Sequence, residues 1–246
     1  MSNSCFWILG RGASIANGLR WRVRRDWYAA LRSRRTTRDE MIDRIRRTIR
    51  DEMDQPDVHN NAYRRLIEKL SRRTSKDWYH RFLTTNWDTL LEQELFPIVE
   101  AEGVVPAWLG QQSHIFHLNG TIEEGNDEHR SPFLLETDDA SERVQTLEAN
   151  KAYNQLLTSK CAVVVGMSFE CRTDRNFLDV LNRDEDVMPI GESAVYIINP
   201  EKSALDKVCD RIRSALPNST MVPIEKSFDV WIDDGLSDLV GTALMR

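Results

Sequence analysis

No apolar run in this chain of 246 residues approaches the roughly 20 that a membrane helix needs. Nor does a basic segment followed by an apolar stretch open the sequence, so neither a secretory leader nor a membrane association is expected, and the protein is expected in the cytoplasm. Cysteine is sparse. Cys5, Cys161, Cys171 and Cys209 are scattered and form no CxxC pair. A structural zinc site needs clustered thiolates or imidazoles, and the five histidines also lack metal-like spacing, so no metal is expected. The cysteines read as free thiols of a reducing compartment, Cys5 and Cys161 as small hydrophobes inside apolar runs. The sequence has no G-x-S-x-G elbow and no P-loop, which removes serine-hydrolase and P-loop NTPase chemistry. It also has no internal repeat and no low-complexity tract.

What is present is a globular composition, 41% hydrophobic and 29% charged, in a chain long enough to bury a core. The net charge of −6 is unevenly spread. Between Arg20 and Arg50, twelve arginines face four acids, a local excess of +8 that leaves −14 on the remainder. Two readings of that segment stand: a pair of solvated, arginine-rich helices, or a surface for a partner protein, a second copy of the chain or, with less support, nucleic acid.

Short β-branched or aromatic runs alternate with longer helix-period segments. The expected strands are Cys5–Leu9, Arg81–Thr84, His114–Leu118, Cys161–Val165, Ala194–Ile198 and Thr220–Ile224. The third, fourth and fifth are apolar nearly throughout, as strands buried on both faces are. Strands separated by helices imply crossovers, hence an α/β, Rossmann-like, mostly parallel six-stranded sheet with helices on both faces.

The helices have readable ends. Thr37-Arg38-Asp39-Glu40 is a capping box, and Met41, Ile45, Ile49 and Met53 then recur as one apolar stripe. Leu66, Ile67 and Leu70 mark another helix, Val144 to Leu157 a third, and Leu205, Val208 and Ile212 a fourth with Pro200 in its first turn. Phe228 to Val240 suggests a last helix, weakened by Gly235. The expectation is one domain over 1–246. It carries a helical insertion or lid over 21–73 and a polar, mobile loop over 121–141.

The chemistry-bearing residues follow the strands. Gly10-Arg11-Gly12-Ala13-Ser14-Ile15-Ala16-Asn17-Gly18 comes directly after the first apolar run and opens a helix. Glycines in such a turn let backbone amides approach a pyrophosphate on the helix N-terminus. The spacing is G-x-G-x(5)-G, and the alternative is a tight turn with helix packing. Thr84-Thr85-Asn86-Trp87-Asp88, His117-Leu118-Asn119-Gly120, Gly166-Met167-Ser168-Phe169 and Asn199-Pro200 close the next four strands, where open α/β sheets place their ligands. Singly each is an ordinary turn or cap; five in order form a pattern.

That ordered set resembles the SIR2-like superfamily, the NAD-binding fold of sirtuin deacylases and bacterial SIR2-type NAD hydrolases. Gly10, Gly12, Ser14 and Gly18 resemble its G-A-G-A-S with a later glycine. Thr84–Asp88 resembles T-T-N-F/Y-D, Ile115–Gly120 its strand ending H-L-H-G, Gly166–Phe169 G-Y/T-S-F, and Ile197–Asn199 I-I-N. The resemblance implies NAD as substrate or ligand. It implies that Gly10 and Gly12 hold the phosphates and that Gly18 and Gly166 belong to the binding motifs. Asn86 would orient the nicotinamide ribose and a water, Asp88 would brace that loop, and Ser168 and Asn199 would contact the adenosine half.

Three departures matter. Asn119 stands where the family has its catalytic histidine, and an amide is no general base. His117, two residues earlier on the same face, is either a substitute base set about 7 Å further back or a packed core histidine. Arg11 replaces an alanine and would grip a phosphate or obstruct the site. The missing zinc cysteines argue against a deacylase. Trp87 would stack on a ligand ring or pack in the core. The implied function is NAD hydrolysis to nicotinamide and ADP-ribose in a bacterial defence system. The competing expectation is a module that senses NAD or ADP-ribose, or scaffolds an assembly, without turnover.

Overall fold

The computed structural model describes residues 3–59, 62–73, 78–102, 106–109, 115–123, 133–135, 138, 147–183, 194–236 and 239. The first strand, β1 (Asn3–Leu9), is apolar on both sides: Cys5, Trp7 and Leu9 enter one core layer, Phe6 and Ile8 the other. Such a strand must be central, covered on both faces. It is followed by α1 (Arg11–Ala16), α2 (Arg25–Arg32), α3 (Arg38–Met53) and α4 (Ala62–Arg73) before β2 (Trp78–Thr84). Then come α5 (Leu90–Glu102), β3 (Phe116–His117), α6 (Leu147–Leu157), β4 (Cys161–Val165), α7 (Arg172–Arg183), β5 (Ala194–Ile198), α8 (Lys202–Ala215), β6 (Thr220–Ile224) and α9 (Phe228–Asp234).

The six strands form one sheet in the order β3-β2-β1-β4-β5-β6, and every pairing is parallel. The expectation of a mostly parallel sheet is met in full. The chain runs outward from β1 to β3, then crosses back to β4 beside β1. The loops after β1 and β4 therefore diverge, and a crevice opens at that switch point. All described strand ends that carry the motifs lie on this edge.

Three strands coincide with their expected bounds, and β1 and β2 begin earlier. The third differs most. It has two residues because Leu118 and Asn119 already turn, and Gly120 takes φ +74°. His114, expected to open it, lies outside the described residues, as do Val144 and Val240 of the expected helices. Pro200 precedes α8 rather than starting it. The Asn199 side chain accepts from the Glu201 amide at 2.9 Å and turns the chain first.

The capping box forms as expected: Glu40 N donates to Thr37 Oγ1 at 3.2 Å, and Thr37 N to Glu40 Oε2 at 2.8 Å. Met41, Ile45, Ile49 and Met53 are buried, joined by Ile42. Three arginines of this helix are not free charges. Arg38 Nη2 and Arg50 Nη2 each donate at 2.6 Å to the carbonyls of Phe133 and Ile122, and Arg46 lies over the Phe133 ring. Of residues 121–141, only 121–123, 133–135 and 138 are described, and Ile122 and Phe133 are the ones that receive these contacts. Among the described residues no helix is long and apolar enough to cross a membrane.

Candidate functional site

A cleft of about 170 Å³ lies at the C-terminal ends of β1, β2 and β4. Its lining includes Arg11, Ser14, Asn86, Asp88, Asn119, Gly166 and Ser168 among the residues expected there. Trp87 lines it as well, and Leu19, Trp21, Thr85, Met167, Cys171, Thr173 and Asp174 complete it without having been singled out for it. Gly10, Gly12, Gly18, His117 and Asn199 do not line it.

The centre of the site is a chain of buried hydrogen bonds. Asn86 Nδ2 donates to the Gly10 carbonyl at 2.9 Å and to Ser14 Oγ at 2.8 Å. Ser14 Oγ in turn donates to Asp88 Oδ2 at 2.8 Å. The Asn86 amide proton goes to Thr84 Oγ1, and Thr84 Oγ1 reaches the Leu9 carbonyl across the β1–β2 pair. Parallel pairing places Thr84 opposite Leu9, which carries the T-T-N-x-D turn beside the glycine turn. Burial raises the Asp88 carboxyl to about 6, against the lowering effect of the Ser14 bond, and the Glu92 charge adds to the rise.

Tyr63 on α4 is a further residue that sequence reasoning missed. Its phenol is buried against the Ser14 and Asn86 side chains, and burial, with the Asp88 charge adding, pushes it well above its ordinary range. It stays a protonated donor at any physiological pH. A signal existed: Tyr63 stands three and four residues before Leu66 and Ile67, on the same apolar stripe. Asn17 holds α4 in place. It accepts from the Tyr63 amide at 3.0 Å and donates to the Ala13 carbonyl at 2.8 Å.

The glycine turn differs in its physics from the expectation. The amides of Gly10 and Gly12 donate to the carbonyls of Val165 and Gly166, so they are not presented to the cleft. A Cβ on Gly10 would stand 2.4 Å from Met167 Sδ, and one on Gly18, at φ +90°, would stand 2.3 Å from the Asp57 carbonyl oxygen. Close backbone packing accounts for each of these glycines. Arg11 points toward the cleft mouth, where it donates to the Trp21 carbonyl at 2.9 Å.

Trp87 resolves to its packing alternative. Its ring is stacked on Trp21 at 5.3 Å and on Phe133 at 4.8 Å, and its Nε1 donates to the Leu134 carbonyl. The residue nonetheless forms part of the cleft lining. Asn119 is 5% exposed, faces the cleft and donates to the Thr85 carbonyl at 2.9 Å. His117 is turned away from the cleft, toward Glu92 and the Asn86 carbonyl. Ser168 is exposed at the end of β4, and Arg211 of α8 donates to its carbonyl. Cys171 keeps its thiol, since burial pushes it up to about 11, so it offers no thiolate nucleophile at neutral pH. Among the described residues, no three His, Cys, Asp or Glu side chains gather as metal ligands.

A family model described as SIR2-like domain matches residues 80–216, more than half of the chain. The chain belongs to the SIR2-like family. The matched span runs from β2 to the end of α8. It holds Asn86, Asn119 and Ser168, whereas the glycine turn and α1–α4 precede it. No curated protein matches the chain. The SIR2-like assignment and the six-stranded parallel sheet agree with the motif order in the sequence, and the family points to NAD-related function.

Proposed function

We propose that the chain binds NAD in the β1–β4 crevice and hydrolyses it to nicotinamide and ADP-ribose, acting in a bacterial defence system. The observation that carries this reading is the Asn86 side chain. Its amide nitrogen is fixed by Gly10 and Ser14 at the cleft wall, which leaves Oδ1, with two lone pairs, as an acceptor for a water or ribose hydroxyl. The reaction breaks the bond between the ribose C1′ and the pyridinium nitrogen, and nicotinamide leaves with the electron pair. Water adds at C1′ and one proton is released. The sugar passes through an oxocarbenium-like state, so positioning and an acceptor near the developing charge supply much of the rate. Arg11 and Ser168 both line the cleft; in this reading the Arg11 guanidinium takes the phosphates and Ser168 contacts the adenosine half.

A second reading, binding of NAD or ADP-ribose without turnover, is favoured by one specific feature. Asn119 faces the cleft with an amide that cannot accept a proton, while His117 is engaged with Glu92. Incubating the pure protein with NAD and measuring nicotinamide separates the two. Release that scales with protein supports hydrolysis; binding by calorimetry without release supports the sensing module. The arginine-rich 20–50 segment remains a proposed surface for a partner or a second copy.

A further inference from the structure

His117 lies between two acceptors. Its Nδ1 is 3.2 Å from the backbone oxygen of Asn86, and its Nε2 meets Oε1 of Glu92, in the first turn of α5. A peptide oxygen has no proton to give, so Nδ1 carries hydrogen. The contact between Nε2 and a carboxyl oxygen needs a second proton, and of an imidazole and a carboxylate the imidazole is the stronger base. The two side chains are only 6% and 13% exposed, so water cannot replace either bond. Glu92 Oε2 is buried and makes no hydrogen bond, which leaves the imidazole as its evident counter-charge.

The surroundings favour a cation at this position. Asp88, in the turn before α5, interacts with both Glu92 and His117. Two carboxyl groups thus act on one imidazole.

We propose that His117 is held as an imidazolium by Glu92, and that this buried ion pair is a clamp that positions Asn86. The clamp fixes the Asn86 peptide from one side while Gly10 and Ser14 fix its side-chain amide from the other. Glu92 and His117 are positioning residues, touching neither cleft nor ligand. The proposal rests on the reading of Asn86 as the working residue of an NAD site. A neutral His117 keeps the Asn86 bond with its hydrogen on Nδ1 but sets the Nε2 lone pair against the Glu92 oxygen, so it is Glu92 that calls for the second proton.

The direct test is the ring-nitrogen NMR spectrum of the full chain without ligand between pH 6 and 9, with His117→Gln assigning the signal. Both ring nitrogens stay protonated through pH 8 if the clamp exists; a neutral ring at pH 7.5 overturns it. Glu92→Gln then removes the charge while keeping the shape, and His117 regains an ordinary titration; the new amide donates to Nε2, so the neutral ring keeps its hydrogen on Nδ1 and the Asn86 bond survives. NAD affinity of this variant by calorimetry should stay within about twofold of wild type at pH 8, whereas His117→Phe, which fills the space without a donor, should lose about fivefold, the worth of one hydrogen bond. Unchanged affinity in a folded His117→Phe, or a loss in Glu92→Gln equal to it, overturns the positioning role. If Glu92→Gln does not fold, the wild-type ring spectrum decides alone. If wild type binds no NAD, the NAD reading of the site fails, and the ring spectrum still decides the ion pair.

Discussion

Gly12 and Gly166 pack backbone to backbone: a Cβ on Gly12 would stand 2.6 Å from Gly166 Cα, and one on Gly166 2.4 Å from Gly12 Cα. Gly12 N also donates to the Gly166 carbonyl at 3.0 Å. The contact seams the turn after β1 to the turn after β4, across the crevice that the strand order creates.

Gly12→Ala should therefore lower stability before it touches any ligand. No flexible side chain can yield, so a loss of about 2 kcal/mol or more is expected, in the range of overpacked core sites. Urea unfolding of the ligand-free variant measures it. Unchanged stability with lost NAD affinity would instead make the glycine a ligand contact.

Asp88 gives a pH signature. Its folded carboxyl titrates at about 6 against an ordinary value near 3.8, so the folded state holds the proton more tightly. By linkage, this group costs stability as pH rises from about 4 to 6, reaching roughly 3 kcal/mol at pH 7. Asp88→Asn should gain on wild type over that window and hold a constant advantage above it. Denaturation curves at pH 4.5, 6 and 7.5 test this, and a pH-independent difference would refute it.

His80 acts with the opposite sign. Trp7 Nε1 donates to His80 Nδ1 at 3.0 Å, and burial lowers the imidazole to about 3. The unfolded chain takes up a proton below about 6.5 and the folded one does not, so stability is lost as pH falls through that window. About 3 kcal/mol is gone by pH 4.5. His80→Gln keeps an acceptor for Trp7 and cannot titrate, so its stability should fall less between pH 7 and 4.5. Parallel slopes for variant and wild type would contradict the assignment.

Two substitutions read the chemistry. Asn86→Ala should remove most nicotinamide release, because the side chain at the cleft wall is lost. Asn119→His should raise release, since it returns a proton acceptor to the cleft. Product formation against NAD concentration, with melting curves as control, checks both. No release from wild type at any protein concentration, with NAD still bound, would leave the sensing module as the function.

Local signals decide the elements. Period-2 and period-3.6 apolar patterns, the Thr37–Glu40 capping box and polar turns after strands are readable because each depends on residues only a few positions apart. The SIR2-like motif order was legible for the same reason. What sits against what was not. Ser14 meets Asp88 across 74 positions, and Gly12 meets Gly166, only because crossovers set β4 beside β1 and β2 on its other side. A glycine needed for backbone packing and one needed for phosphate look identical in sequence. So do a tryptophan stacked between Trp21 and Phe133 and one open to a ligand. His117, on the face expected from its strand, is turned from the cleft by Glu92, a residue of α5 that no motif marks. The sequence by itself determined the strands, helices and motif turns of this protein; the tertiary structure alone decided their neighbours, because side-chain partners are chosen by strand order and packing, not by spacing along the chain.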